Sequence, residues 1–339
     1  MQPLVSIVIP AYNAENTIVE SIWSAIGQTW PYKEIIVVDD GSTDRTAEVV
    51  GRFAPKVTLV STRNQGLSAA VNLGVQHSHG DYIQELDADD LLAPDKIERQ
   101  LSAVRPGDSR RLLLSSPWAS FYYRTRNARF VNNTLCQDLS PVEWLLRKMN
   151  ENLHMQNATW LVSRELIDAA GPWDTRLNYD QDGEYFARVL SSSDGTRFVP
   201  GTGVFYRASG PGSISYIGNS DKKKESLLLS MELQIRYLSA MENSERVRRA
   251  CVAYLQNWYE NFYPERSDLA AQAQRMAAEL GGSLEEPRLR WKFAWLKPLF
   301  GLGAAKWAQT TFPRIKASML RTIDKTMYTL ETRSKTAPV

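Results

Sequence analysis

Apolar and polar positions alternate in blocks along the first hundred residues. "LVSIVI" (4–9) is a β-rich apolar run of the kind a buried parallel strand needs, and "AENTIVESIWSAIGQ" after it carries apolar residues at helical spacing. The alternation returns in "KEIIVVDDGSTDRTAEVVGRF", with a helix expected from near Thr43, and again in "VTLVSTRNQGLSAAVNLGVQHSHG". "DYIQELDADD" supplies a fourth strand, with a helix expected from about Pro94, where proline suits the first turn. Four such alternations predict a right-handed, largely parallel α/β sheet. Ligands of these sheets bind beyond the carboxyl ends of the strands.

Three polar clusters fall at those ends: "PAYN" (10–13), "DDGSTD" (39–44) and "DADD" (87–90), which should meet at one rim. Asp87, Asp89 and Asp90 repel one another, so they either project into water as a solvated turn or are held by a cation, for which a hard divalent metal is the usual choice. Convergence with the other two clusters favours a site. In "RNQGLSAAVN", Gly66 permits close backbone approach at a helix start, a place suited to phosphate. No GxGxxG follows the first strand and no GxxxxGK[ST] occurs, which argues against a dinucleotide-binding Rossmann domain and a P-loop enzyme.

Beyond about residue 220 the pattern becomes helical, in "KKKESLLLSMELQIRYLSAMEN", "ERVRRACVAYLQNWYENFY" and "SDLAAQAQRMAAELGG". The expected division is residues 1–218, α/β, and 219–339, a helical region ending in a basic, aromatic-rich tail. From Arg288 onward eleven Lys/Arg face two acids, Asp324 and Glu331, a net +9 in a chain whose total is +2. Trp291, Trp295, Phe300, Trp307 and Phe312 interleave with these charges, and Ile315, Met319, Ile323, Met327 and Leu330 fall on one helix face. Two readings follow: residues 288–330 lie against an anionic membrane surface, or they pack on the protein's own core. The residues alone leave both open. No nucleic-acid-binding module accompanies the charge, so nucleic acid is not expected as a partner.

Cys136 and Cys251 are far apart and lack zinc or CxxC spacing, which fits a reducing cytoplasm. The N-terminus reads as a strand rather than a signal peptide, and no apolar run approaches about 18 residues, the length of a transmembrane helix. A cytoplasmic protein, peripheral on the inner face of the cell membrane, is the expectation.

The ordered set "VSIVIPAYNAENTIVESIWSAIGQTW", "EIIVVDDGSTDRT", "RNQGLSAAVNLGV" and "GDYIQELDADDLLAPDKI" resembles the family 2 glycosyltransferases of GT-A fold, and the likeness runs from residue 4 to about 215. "GPWDTRLNYDQDGEYFARVL" and "YRASGPGSIS" continue it. The resemblance implies a mixed, Rossmann-like sheet flanked by helices. It also implies inverting, metal-dependent transfer of a sugar from a nucleotide diphosphate sugar to a hydroxyl of a sugar, lipid-linked or other acceptor, with a role in cell-surface polysaccharide or glycolipid synthesis.

By that carry-over, Asp87, Ala88 and Asp89 form the DxD motif that holds Mg²⁺ or Mn²⁺ against the diphosphate, with Asp89 as direct ligand and Asp87 at the metal or the ribose. Pro10, Ala11 and Tyr12 line the nucleoside pocket. Asp40 accepts from uracil, which favours UDP over GDP or dTDP, and Asp39 meets the ribose or the turn. Asp182 is the expected general base, with Asp180 and Glu184 as competitors, and Arg207 with 209–215 closes over the diphosphate. Two departures from the family pattern are Gln181, where a glutamate is usual, and Val71, where relatives often have arginine. Two other readings stay open: a non-catalytic protein binding a nucleotide or partner, and a nucleotidyltransferase, for which "PAYNAENT" lacks the Gly-rich loop.

Overall fold

The computed structural model describes residues 2–208, 216–287 and 291–336. The expected alternation is present as β1 (Val5–Ala11), α1 (Ile18–Ile26), β2 (Lys33–Asp40), α2 (Thr46–Gly51), β3 (Thr58–Thr62), α3 (Leu67–Gln76) and β4 (Tyr82–Glu85). Then follow β5 (Leu91–Leu92), α4 (Lys96–Ser102), β6 (Leu112–Ser115), β7 (Trp118–Phe121), β8 (Arg129–Phe130), α5 (Pro141–Glu151), β9 (Val162–Ser163), α6 (Arg164–Ala170), α7 (Gln181–Ser192), β10 (Gly195–Phe198) and β11 (Val204–Arg207). The remainder is helical: α8 (Asp221–Met241), α9 (Glu245–Trp258), α10 (Ser267–Glu279), α11 (Trp291–Ala294) and α12 (Leu296–Thr336).

The main sheet has the order β3-β2-β1-β4-β9, parallel except for β9, so the fold is mixed α/β flanked by helices. Every residue of β1 is buried, as a central strand covered on both faces requires. Its register sets Ala11 opposite Asp39 and Asp40 opposite Thr62, which brings the polar ends of β1, β2 and β3 to one rim. A second sheet, β5-β11-β7-β8, pairs β5 with β11, joining the segment after the aspartates to the end of the α/β region.

Two helix starts lie later than their sequence signals. α2 begins at Thr46 because the Asp44 carboxylate accepts from the Thr46 amide (2.9 Å) and hydroxyl, and from the Glu15 amide, which makes residues 42–45 a turn. α4 begins at Lys96 because Leu91 and Leu92 first pair with β11.

The change to helices near residue 219 is a change of structural class and not a break in packing. Trp144, Trp160 and Phe186 of the α/β part share one apolar core with Leu227, Met231, Tyr254 and Phe262 of the helical part. Ser226 of α8 accepts from the amides of Asn178 and Tyr179 (both 3.0 Å), stitching α8 to the loop before α7. Because Met231 is fully buried in that common core, Met231→Ala is expected to cost about 2–5 kcal/mol and to lower one cooperative melting transition. Calorimetry showing two transitions, with only one moved, would mean the two parts fold separately.

Candidate active site

At one side of the rim, Pro10 and Ala11 are buried at the end of β1, and Tyr12 follows half-exposed. Asp39 and Asp40 end β2 almost fully buried. Both are engaged with backbone: Asp39 Oδ1 accepts from the Ser42 amide (3.2 Å), and the two Asp40 oxygens accept from the Gln65 (2.9 Å) and Gly66 (2.8 Å) amides. Asp40 thus fixes the loop entering α3. Gly41, at φ 72°, separates the acids from this loop, and a Cβ there would sit 2.7 Å from the Asn64 amide nitrogen. Asn72 bonds both the carbonyl and the amide of Trp173, a structural clamp on the segment before α7.

The acidic centre lies past β4. Asp87 faces Asp89, Asp182 and Asn157, and burial, then the charge of Asp89, push its pKa up to about 7. Glu85, one strand position deeper, is buried and raised well above the usual carboxylate range by desolvation, Asp87 and Asp182. Asp90 points the other way: its oxygens accept from the Arg207 amide (2.7 Å) and the Gln156 side chain (2.7 Å), so it braces the turn.

Arg207 ends β11 under that turn. Its guanidinium donates to the Asp89 carbonyl (2.8 Å), the Tyr122 carbonyl (3.2 Å) and Glu20 Oε2 (2.5 Å), and stacks over Phe121. These contacts make it a buried brace for the aspartates, in place of the expected closing arm. The glycine-rich segment 209–215 lies outside the described residues.

α7 begins with Asp180 in the left-handed region (φ 56°). The Asp180 carboxylate accepts from Ser230 (2.7 Å) and Gln234 (2.9 Å) of α8, and Glu184 is buried against Arg188 and Tyr237. Both competitors for the base are therefore engaged in holding helices together. A Cβ on Gly183 would collide with Asp180 Oδ1, so glycine there lets the carboxylate fold back. Asp182, in the first turn of α7, lies near enough to shift Asp87, Glu85 and His154 electrostatically.

His154 is exposed, edge-on to Trp118 at 5.8 Å, whereas Trp173 is buried and stacked on Tyr185 at 4.4 Å. Glu20, Glu85, Trp118, Gln156 and Asn157 were not flagged. The indole N–H of Trp118 is buried and has no hydrogen-bond partner among the described residues.

Among the described residues no group of three or more His, Cys, Asp or Glu forms a ready-made metal cage. A Mg²⁺ or Mn²⁺ ion nonetheless fits the donor set, because such ions take one or two carboxylates and complete their shell with phosphate oxygens and water. The mutual repulsion that raises Asp87 is the kind a cation relieves.

A mixed sheet whose parallel strands present an acidic rim to helix α7 defines a GT-A fold. Solved structures agree: Staphylococcus aureus TarS 1–349 in complex with UDP is similar with a TM-score of 0.62 at 15% identity, covering 82% of this chain and 80% of that one. The mannosyltransferase PcManGT of Pyrobaculum calidifontis, in complex with GDP-Man and Mn²⁺, is similar with a TM-score of 0.54 at 20% identity, covering 95% and 85%. Residues 6–113 match the family model described as Glycosyl transferase family 2. An uncharacterized glycosyltransferase of Rickettsia typhi is 31% identical over 198 residues, 56% of this chain and 60% of that protein. The chain spans about half the length of the curated relatives it matches. Residues 6–113 are thus similar to the family 2 glycosyltransferases, and the comparisons support a glycosyltransferase of that family.

Asp180 gives a pH prediction. Its folded pKa is raised to about 6, by burial first and by Asp182, against Lys148, Ser230 and Gln234, which lower it. A carboxyl raised on folding holds its proton longer in the native state, so its contribution to stability is lost as pH rises from about 4 towards 6. Asp180→Asn should flatten the melting temperature across that window relative to the parent. Arg207→Ala, which leaves buried carbonyl oxygens unpaired, should cost on the order of 1–3 kcal/mol by denaturant unfolding.

Proposed function

We propose that the protein transfers a sugar from a nucleotide diphosphate sugar, a UDP-sugar, to an acceptor hydroxyl with inversion at the anomeric carbon. The carrying observation is the meeting of Asp87 and Asp89, at the end of a central strand, with Asp182, at the start of α7. Asp89, with Asp87, would hold Mg²⁺ or Mn²⁺, which when bound offsets the negative charge of the departing nucleoside diphosphate. Asp182 accepts the acceptor hydroxyl's proton as that oxygen bonds to the anomeric carbon and the bond from that carbon to the diphosphate oxygen breaks. Asp180 and Glu184 are occupied by helix contacts, which supports Asp182 as the base.

Pro10, Ala11 and Tyr12 line the nucleoside side, with Asp39 and Asp40 shaping the loops and Asp40 able to meet the base only by sharing its amide-bonded oxygens. Arg207 acts as a positioning residue for the Asp87–Asp89 turn. The unpaired Trp118 N–H and the exposed His154 suit the acceptor side, since a sugar offers hydroxyls to both. UDP as donor nucleotide agrees with the UDP bound by TarS, and the metal with the Mn²⁺ of PcManGT. The acceptor is a saccharide or lipid-linked hydroxyl in cell-surface polysaccharide or glycolipid synthesis, met at the inner face of the membrane.

Thermal shifts with UDP, GDP and dTDP, each with and without Mn²⁺, test the donor. UDP with Mn²⁺ at about 100 times its dissociation constant should add roughly 2.7 kcal/mol, and Asp89→Ala should abolish the gain. Asp182→Asn should keep that stabilisation while lowering UDP release in the presence of acceptor by about 10²–10⁴-fold. Stabilisation by no nucleotide would leave a non-catalytic binding protein as the better account.

A further inference from the structure

Among the described residues, α12 presents an apolar stripe that stays largely exposed. Phe312, Ile315, Met319, Ile323 and Leu330 are all exposed, at spacings of three, four, four and seven residues, with Met327 and Leu320 flanking them. The side chains of Trp291 and Trp307 lie outside the described residues.

What holds the helix in place is its other side. Asp324, buried, accepts from the amides of Tyr123 (2.9 Å) and Arg124 (3.1 Å), from the Arg124 guanidinium (2.7 Å) and from Asn127 (3.0 Å). Glu331 pairs with Arg124 and Arg126, and the Tyr328 hydroxyl donates to Glu20 (3.1 Å), the residue that also binds Arg207. The two acids of the region from 288 onward are thus both spent on the catalytic part. Their removal from the outer surface leaves exposed Lys316 beside the stripe, in a tail of net +9, while the Lys325 ammonium sits over the Tyr123 ring on the inner side.

No described helix is long and apolar enough to cross a membrane. A helix with an exposed apolar face, no free acid among its described residues and cationic flanks fits the interface plane of a bilayer instead. We propose that the outward face of α12 seats on an anionic lipid bilayer, with Phe312, Ile315, Met319 and Ile323 in the headgroup layer and Lys316 against lipid phosphates. Charge complementarity favours this occupant: a second copy paired symmetrically through α12 would set +9 against +9. Because Tyr328 and Asp324 clamp the helix beside Glu20 and Arg207, the docked protein carries its acidic centre close to the membrane plane. The surface itself does not depend on which donor the acidic centre binds.

Co-sedimentation of the full chain with phosphatidylglycerol-containing vesicles, compared with pure phosphatidylcholine vesicles, tests this. The chain should pellet with the anionic vesicles and lose at least tenfold in apparent affinity on neutral ones or in 0.5 M salt. Ile315→Asp/Met319→Asp/Ile323→Asp, whose side chains are already exposed, should lose vesicle binding by tenfold or more while keeping the parent's melting temperature and its thermal response to UDP and Mn²⁺. Equal binding of parent and triple variant, or no binding by the parent, would overturn the proposal. So would a parent dimer that the triple variant converts to monomer in light scattering, or preference for RNA over vesicles in competition. A missing response to UDP with intact vesicle binding would count against the donor assignment alone.

Discussion

Carboxylate repulsion is the constraint on which the rest of the site depends. Glu85, Asp87, Asp89, Asp90 and Asp182 converge where β4 ends and α7 begins, and burial first, then their mutual charges, push the pKa values of Glu85, Asp87 and Asp90 upward. Such a cluster holds only if backbone and neighbouring side chains leave it no way to spread. Asp90 is turned away onto the Arg207 amide and Gln156, Arg207 grips the Asp89 carbonyl, and Asn157 reaches both Glu85 and Asp87. The scaffold therefore holds unfavourable electrostatics that a divalent cation would relieve.

The helical third belongs to the same construction. Asp182 stands where it does because Asp180 adopts a left-handed conformation, and that conformation is secured by Ser230 and Gln234 of α8 and permitted by Gly183. At the opposite side, α12 reaches Glu20 through Tyr328, and Glu20 reaches Arg207. The aspartates are thus supported from two sides by chain lying far beyond them in sequence, Ser230 and Gln234 for the turn of Asp180 and Arg207 for the turn of Asp89.

Much of this was legible in the residues. The β-α alternation and the convergence of residues 10–13, 39–44 and 87–90 follow from local periodicity and from the rule that parallel strands end together. What escaped is non-local. Nothing in "EWLLRKMNENLHMQNATW" announces that Gln156 and Asn157 will meet Asp90 and Asp87, because the contact spans about 70 residues. Arg207 was read as a mobile phosphate arm because arginine suits phosphate; its burial between Glu20, Phe121 and the Asp89 carbonyl depends on β11 pairing beside β7. Asp40 likewise gave no sign that two amides of the next loop would occupy its oxygens.

The most direct measurement is anomalous X-ray diffraction from crystals grown with UDP and Mn²⁺. The account predicts one manganese peak between the Asp89 carboxylate and the UDP diphosphate, with Asp87 at the metal or one water away and Asp182 off the metal, across the space where the sugar would sit. Manganese bound elsewhere, or UDP bound away from the ends of β1, β2 and β4, would contradict it.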